Sequence, residues 1–268
     1  MKTIIVPTDF STTSRHAFEY AKQLSQKLGA KIKVVHVHDA YGDLTISAFE
    51  KSEGDPAEKA MKEFTAESDS YYYETEILRG DVVRQLVKMT KRESDEIIVM
   101  GSTGLQDFLS KIIGTVSLDV MNKAHAPVII VPRDTVYKPI QRILFATNAE
   151  SVESHVLNEA VTFAQAFKAQ IHFVNVHKDK DTKEDVLKKV LDELMVNMDV
   201  KEPFELVSLG GSDVVKQIKE YAEQNEIDLL MFVNRHRGFF QSLIHKSVTQ
   251  QIALTAEKPM MVMHYDDN

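Results

Sequence analysis

Two stretches of this sequence carry residue types and spacings suited to holding an anionic ligand. One is Pro7-Thr8-Asp9, directly after the apolar run Ile4-Ile5-Val6. The other is Met100-Gly101-Ser102-Thr103-Gly104, followed after nine intervening residues by Gly114-Thr115-Val116-Ser117. Gly101 and Gly104 have no Cβ, so the backbone there can approach a ligand closely or take a positive φ. Gly114-Thr115-Val116-Ser117 is expected to open a helix running to Lys123. The free N–H groups of such a helix start, its dipole and the two hydroxyls form a cradle for phosphates. Between the glycines, Leu105, Phe108, Leu109, Ile112 and Ile113 have helical spacing, as expected of a packed segment that holds the two glycine elements apart.

The chemistry these stretches lack is equally informative. There is no Walker-type Gly-Lys-Ser/Thr sequence, and the nearby lysine, Lys111, lies in the apolar connecting segment. Phosphoryl transfer needs charge neutralisation at the transferring group as well as positioning. Backbone amides and two hydroxyls therefore predict binding of a polyphosphate with very slow hydrolysis or none. Neither a His-x-Gly-His sequence nor a Ser-Gly-Gly-x-Asp loop occurs, which argues against an adenylyl-transferring enzyme.

Composition excludes further classes. Cysteine is absent, so disulfides, zinc–thiolate sites, cysteine-ligated iron–sulfur clusters and cysteine nucleophiles are ruled out. Lys and Arg number 32 against 40 Asp and Glu, a formal charge of −8, and no long basic run offsets it. That balance argues against a generic nucleic-acid backbone binder. No apolar signal segment precedes Pro7, and no run approaches the roughly 18 apolar residues of a membrane span. A cytoplasmic globular protein with no membrane partner is expected.

The elements that must position the two stretches are legible because the chain repeats itself. Pro7 through His38 aligns without a gap onto Ala146 through His177 at an offset of 139. Thr8/Thr147, His16/His155, Ala21/Ala160, Val35/Val174, Val37/Val176 and His38/His177 are among the identities. Later, Asp81-Val82-Val83 matches Asp213-Val214-Val215 at an offset of 132, which persists to the ends of the two halves. Two copies of one fold are expected, over residues 1–135 and 140–268, with the linker bracketed by Pro132 and Pro139. In the first copy, Ile4–Val6 reads as a buried strand ending at Pro7, which has no N–H for a ladder. Ser11, Thr12 and Thr13 offer N-cap oxygens to a helix carrying Ala17, Ala21, Leu24 and Leu28, and Gly29 stops it. Strands over 32–37, 74–78, 96–100 and 128–131 follow, with a helix capped by Asp81 and carrying Val83, Leu86 and Val87. Gly54-Asp55-Pro56 reads as a turn before another helix. Alternating strands and helices predict an α/β fold: two tandem doubly wound domains, each with a five-stranded, mostly parallel sheet. Ligands of such sheets sit beyond the carboxyl ends of the strands where strand order reverses, and both stretches follow strands.

The halves differ at the candidate site. Seven of the ten glycines precede the linker. Gly101, Gly104 and Gly114 correspond to Val233, His236 and Lys246, and Asp9 to Asn148. Glycines needed only for the fold would have been kept, so the second copy reads as a retired site.

On these residues the sequence resembles the universal stress proteins. Gly101-x2-Gly104-x9-Gly114-Thr115, Pro7-Thr8-Asp9 and His36-Val37-His38-Asp39 carry the resemblance, and it covers both halves, as in tandem-domain members. The resemblance implies a Rossmann-like, adenine nucleotide alpha hydrolase-like fold and an ATP site in the first domain alone. Pro7, Thr8 and Asp9 would border the ribose and adenine, Val37 would meet adenine through its backbone, and Met100 and Gly101 would flank the ribose. Gly104, Gly114, Thr115, Val116 and Ser117 would hold the phosphates. Mg2+ could accompany the triphosphate, with no dedicated metal ligand in the chain. The resemblance further implies a stress-response binding protein whose nucleotide occupancy controls an unidentified protein partner. It implies a pseudo-dimer within the chain through the last strands, with a homodimer of chains as a further option. A slow ATPase, or an interaction protein with no nucleotide, are the alternatives.

Weaker constellations remain. His36 and His38 alternate onto one face of a strand and either chelate a metal or form a packed pair; the lack of a third ligand favours the pair. Arg235, His236, Arg237, His245 and Lys246 form either a solvated basic patch or a dock for an anionic ligand or acidic partner. Lys178 through Asp185 reads as an exposed loop entering a helix, and Met260–Met263 as core or interface filling.

Overall fold

Runs of β-branched residues separated by amphipathic stretches give strands and helices that alternate within each half of the chain. The computed structural model describes residues 3–38, 56–66, 73–90, 95–102, 115–133, 135–147, 154–177, 183–197, 200–236, 248–255 and 257–266. The chain divides into two compact units, Met1–Tyr137 and Lys138–Asn268. Among the described residues, no helix is long and apolar enough to cross a membrane.

The N-terminal unit runs β1 (Thr3–Thr8), α1 (Thr12–Leu28), β2 (Lys31–His38), α2 (Pro56–Thr65), β3 (Tyr73–Arg79), α3 (Val82–Met89), β4 (Glu96–Ser102), α4 (Thr115–Lys123) and β5 (Val128–Pro132). Its sheet has the order β3-β2-β1-β4-β5, with every pairing parallel. The central strands are buried on both faces: Ile4, Val6, Ile97, Ile98 and Val99 are all fully enclosed. That explains their unbroken apolar runs. Helix α1 starts because the Ser11 hydroxyl accepts the Ser14 N–H at 3.2 Å. It ends at Gly29, whose φ of +62° is open to a residue without a Cβ. Between these caps Ala17, Phe18, Ala21 and Leu24 face the sheet and are fully buried. Asp81 caps α3 by accepting the Arg84 N–H at 2.7 Å.

Pro7 does not end β1. It stands opposite Val35 in the β2 register, and pairing continues to Thr8 opposite His36. On the other side the ladder to β4 covers only Thr3, Ile4 and Ile5. The proline lies beyond the end of that second ladder, so its missing N–H costs the sheet no bond there. One strand thus parts from β4 three residues before it parts from β2, and the parting opens the sheet at its switch point.

The C-terminal unit repeats the plan with β6 (Arg142–Thr147), α5 (Ser154–Phe167), β7 (Gln170–His177), α6 (Lys183–Asn197), β8 (Phe204–Gly210), α7 (Val214–Gln224), β9 (Leu229–His236), α8 (Val248–Thr255) and β10 (Met260–Asp266). Its order is β8-β7-β6-β9-β10, again parallel throughout. Asp213 caps α7 as Asp81 caps α3, accepting the Lys216 N–H at 3.0 Å. Met260–Met263 are buried, as expected of core filling.

The repeats diverge at a position that is partly exposed in the first and buried in the second. Lys33 on β2 pairs with Glu76 at 2.6 Å, whereas its counterpart on β7 is His172. His172 is 3% exposed; its Nδ1 lies 2.8 Å from the Tyr221 hydroxyl, and its Nε2 has no hydrogen-bond partner among the described residues. Burial pushes the imidazole below its ordinary value of 6.5, the Glu205 carboxylate opposes this, and the Arg142 guanidinium adds to it. A base with a lowered folded-state pKa binds protons more readily when unfolded. The C-terminal unit is therefore expected to lose stability as pH falls below about 6.5, the unfolded value. Urea unfolding at neutral and mildly acidic pH checks this: His172→Phe should flatten the acid decline, and an unchanged decline would contradict the assignment.

Candidate nucleotide-binding site

Where β1 and β4 separate, the N-terminal unit contains a cleft of about 330 Å³, within the size range of small-molecule sites. Pro7, Thr8 and Asp9 enter it from β1 and the turn beyond, Val37 from β2, Met100 and Gly101 from β4, and Val116 and Ser117 from the first turn of α4. Eight of the eleven residues singled out in the sequence thus line one space. Thr115 is the first residue of α4. Gly104 and Gly114 lie outside the described residues, as do Lys111 and the connecting apolar segment. So do Asp39, Asn148, and Arg237, His245 and Lys246 of the basic loop in the second half.

The cleft also takes in Ser11, Thr13, Ser14, Val35, His36 and Val82, which sequence reasoning gave other roles or none. Ser11 and Thr13 were legible as cap oxygens, and His36 as half of a histidine pair. Val82 comes from the start of α3, and nothing local in the sequence marks it as facing this space.

Each rim residue is held by identifiable bonds. Thr8 is buried, its hydroxyl oxygen 3.0 Å from that of Ser14 and accepting the Phe10 N–H at 2.9 Å. Asp9 Oδ1 accepts both the hydroxyl (2.5 Å) and the N–H (3.0 Å) of Ser11. Partial burial alone would raise the Asp9 pKa. The Ser11 hydrogen bonds, helped by Ser14, outweigh that and hold the carboxyl below its ordinary value. Asp9 is therefore an anion at neutral pH. Phe10, next in the turn, has φ +63°, an uncommon conformation for a bulky side chain. Its ring packs on His36 at 4.4 Å and on Phe64 at 5.9 Å. His36 and His38 meet edge to face at 4.9 Å, a packed pair.

Gly101 serves a packing purpose that its spacing does not reveal. It does not take a positive φ. A Cβ there would lie 2.5 Å from Thr13 Cγ2 and 2.7 Å from the Thr13 carbonyl oxygen. The glycine lets the first turn of α1 seat against β4, and that seat holds Ser11, Thr13 and Ser14 at the cleft. Ser117 is also engaged within the protein: its hydroxyl donates to the Gly101 carbonyl at 2.9 Å, tying α4 to the end of β4. No acidic residue stands in the first turn of α4, so the positive end of that helix is not neutralised locally.

Among the described residues, the lining therefore combines apolar walls (Val35, Val37, Val82, Met100, Val116), a hydroxyl-rich floor and one carboxylate. None of the described lining residues is Lys or Arg. Among the described residues there is no group of three His, Asp or Glu that could hold a metal ion. Such a lining can enclose a planar base and accept bonds from sugar hydroxyls, with a helix start nearby for an anion.

Comparison with known proteins agrees with the fold. A model of the universal stress protein family matches residues 1–132 and again 139–264. A universal stress protein of Methanocaldococcus jannaschii is 30% identical over 141 residues, spanning 49% of this chain and 82% of that protein. Universal stress protein A of Escherichia coli K12 is 27% identical over 138 residues, 49% of this chain and 94% of that protein. The crystal structure of a universal stress protein from Archaeoglobus fulgidus is 20% identical and covers 98% of both chains with a TM-score of 0.70, a likeness of fold. With one family match in each unit, on a sheet order and strand-end cleft built as described, this chain belongs to the universal stress protein family as a tandem two-domain member.

Proposed function

We propose that the N-terminal domain binds an adenine nucleotide, ATP above all, and that the chain acts as a nucleotide-dependent regulatory binding protein. The observation that carries this reading is the convergence of Pro7, Thr8, Asp9, Val37, Met100, Gly101, Val116 and Ser117 on one cleft at the switch point of the sheet. The His38 carbonyl accepts the Gly80 N–H at 2.8 Å on the β3 side. Successive residues of a parallel strand direct their polar groups to opposite neighbours, so Val37 faces the side where β1 has already turned away. Its backbone is suited to the edge of an adenine ring. Asp9 Oδ1 is occupied by Ser11, which leaves the second carboxylate oxygen for a ribose hydroxyl. The phosphates then run toward the start of α4. Thr115, Gly104 and Gly114 are proposed as their partners, and Ser117 joins them by turning its hydroxyl away from Gly101.

The same lining favours binding over turnover. Among the described residues it offers no Lys or Arg to neutralise a transferring phosphoryl group, and the hydroxyls of Ser11 and Ser14 are committed to Asp9 and the Ser11 carbonyl. Mg2+, where it participates, arrives on the triphosphate; bound there, it would supply charge neutralisation. The C-terminal domain, with Val233 and Asn148 at the places of Gly101 and Asp9, is proposed to bind no nucleotide.

Equilibrium dialysis with labelled ATP tests this. About one site per chain is expected, with Asp9→Ala weakening it by roughly tenfold, the scale of a lost charge-assisted hydrogen bond. Two sites, or none, would overturn the reading. Multiple turnovers abolished by Asp9→Ala would instead make the protein a slow ATPase.

A further inference from the structure

The two repeats solve one problem with different side chains. In the N-terminal domain, His36 Nδ1 lies 2.8 Å from the backbone carbonyl oxygen of Thr8. In the C-terminal domain, Asn175 Nδ2 donates to the carbonyl of Thr147 at 2.9 Å. The positions correspond twice over. They share the 139-residue offset, and each pair occupies the last rung of its ladder, Thr8 opposite His36 and Thr147 opposite Asn175. A carbonyl oxygen only accepts, so the neutral His36 ring must carry its proton on Nδ1. An imidazole and a carboxamide share neither shape nor titration; what they share here is an N–H aimed at the same acceptor.

That acceptor matters because of where it stands. Thr8 is the last residue of β1, three positions past the end of the ladder to β4, and Asp9 follows it directly into the turn. The side-chain bond from β2 prolongs the strand's attachment at the point where the sheet opens. Phe10, in its uncommon φ, packs against the His36 ring at 4.4 Å, so one imidazole braces both the residue before Asp9 and the residue after it.

We infer that His36 is a positioning residue for the nucleotide cleft: by donating Nδ1–H to the Thr8 carbonyl it fixes the Thr8-Asp9 rim, and the donor rather than the ring is what the position requires. The inference rests on the proposed adenine-nucleotide site and concerns how that site is held. It is tested in the full chain by ATP dialysis on the native protein, His36→Asn and His36→Leu. Long-range 1H–15N correlation of the native imidazoles, recorded at mildly alkaline pH, accompanies the dialysis. His36→Asn should bind ATP within about threefold of the native protein, and His36→Leu roughly tenfold or more weakly, on the scale of a lost buried hydrogen bond. The spectrum should show His36 as the Nδ1–H tautomer. Native affinity in His36→Leu, equal loss in both variants, or an Nε2–H tautomer would each overturn the inference. The tautomer is read on native protein, so a leucine variant that fails to fold leaves the inference open to refutation. Absence of ATP binding by the native protein would instead sink the nucleotide site itself, an outcome separate from any difference between the variants.

Discussion

Gly101→Val is expected to destabilise the N-terminal domain by at least about 1–3 kcal/mol, the usual cost of overpacking, and to abolish nucleotide binding. The smallest possible side-chain atom at this position already meets Thr13 Cγ2 at 2.5 Å, the Thr13 carbonyl oxygen at 2.7 Å and its carbonyl carbon at 3.0 Å. Two of those three atoms are backbone, so no rotamer change relieves the clash. Helix α1 must lift from β4, and it takes Ser11, Thr13 and Ser14 with it. Loss of the Ser11 bonds then frees the Asp9 carboxylate. Val233 at the corresponding place in β9 shows that valine is not incompatible with the strand itself. Hydrogen exchange resolves the effect by region: α1 amides should lose protection while those of the C-terminal sheet keep theirs. Unchanged α1 protection would contradict the packing account.

Phe64→Ala is expected to cost about 3–5 kcal/mol, the usual range for truncating a buried phenylalanine and a large share of a stability of about 5–15 kcal/mol. Phe64 is 2% exposed and stacks on Phe18 at 5.5 Å, while the Arg15 guanidinium sits 4.6 Å over its ring and donates to its carbonyl at 3.1 Å. It is also the floor under Phe10, at 5.9 Å. A residue in a sparsely populated backbone conformation persists only while its surroundings enforce it. Removing the floor should let the Phe10 turn relax and weaken nucleotide binding beyond what the stability loss explains. The control is Phe145→Ala in the C-terminal core, of similar cost. Urea unfolding and ATP affinity measured together decide it: equal affinities in the two variants would refute the coupling between core and rim.

Much of the fold was legible because its determinants are local. The apolar runs at Ile4–Val6 and Glu96–Met100, the caps at Ser11 and Asp81 and the stop at Gly29 each need only a few neighbouring residues, and all appear as read. The repeat then carried the same reading into the second half. Pro7 was misplaced because its effect depends on which neighbouring ladder is present, and that is set by β4, almost a hundred residues later in the chain. The spacing marks Gly101 as special, but its packing partner Thr13 lies on a different element and its φ is not positive, and neither fact is written in the local sequence. Val82 carried no signal, because only the docking of α3 brings it to the cleft. The donor role of His36 could have been found: at the 139 offset it falls on Asn175, and the side-chain N–H is what the two have in common.

The most direct measurement is a crystal structure of the full chain grown with ATP. The account predicts nucleotide density in the cleft between the ends of β1 and β4, with the base against Val37, the ribose beside Asp9, the phosphates at the start of α4, and none at the corresponding place in the C-terminal domain. Density in both domains, or a nucleotide bound elsewhere with this cleft empty, would contradict it.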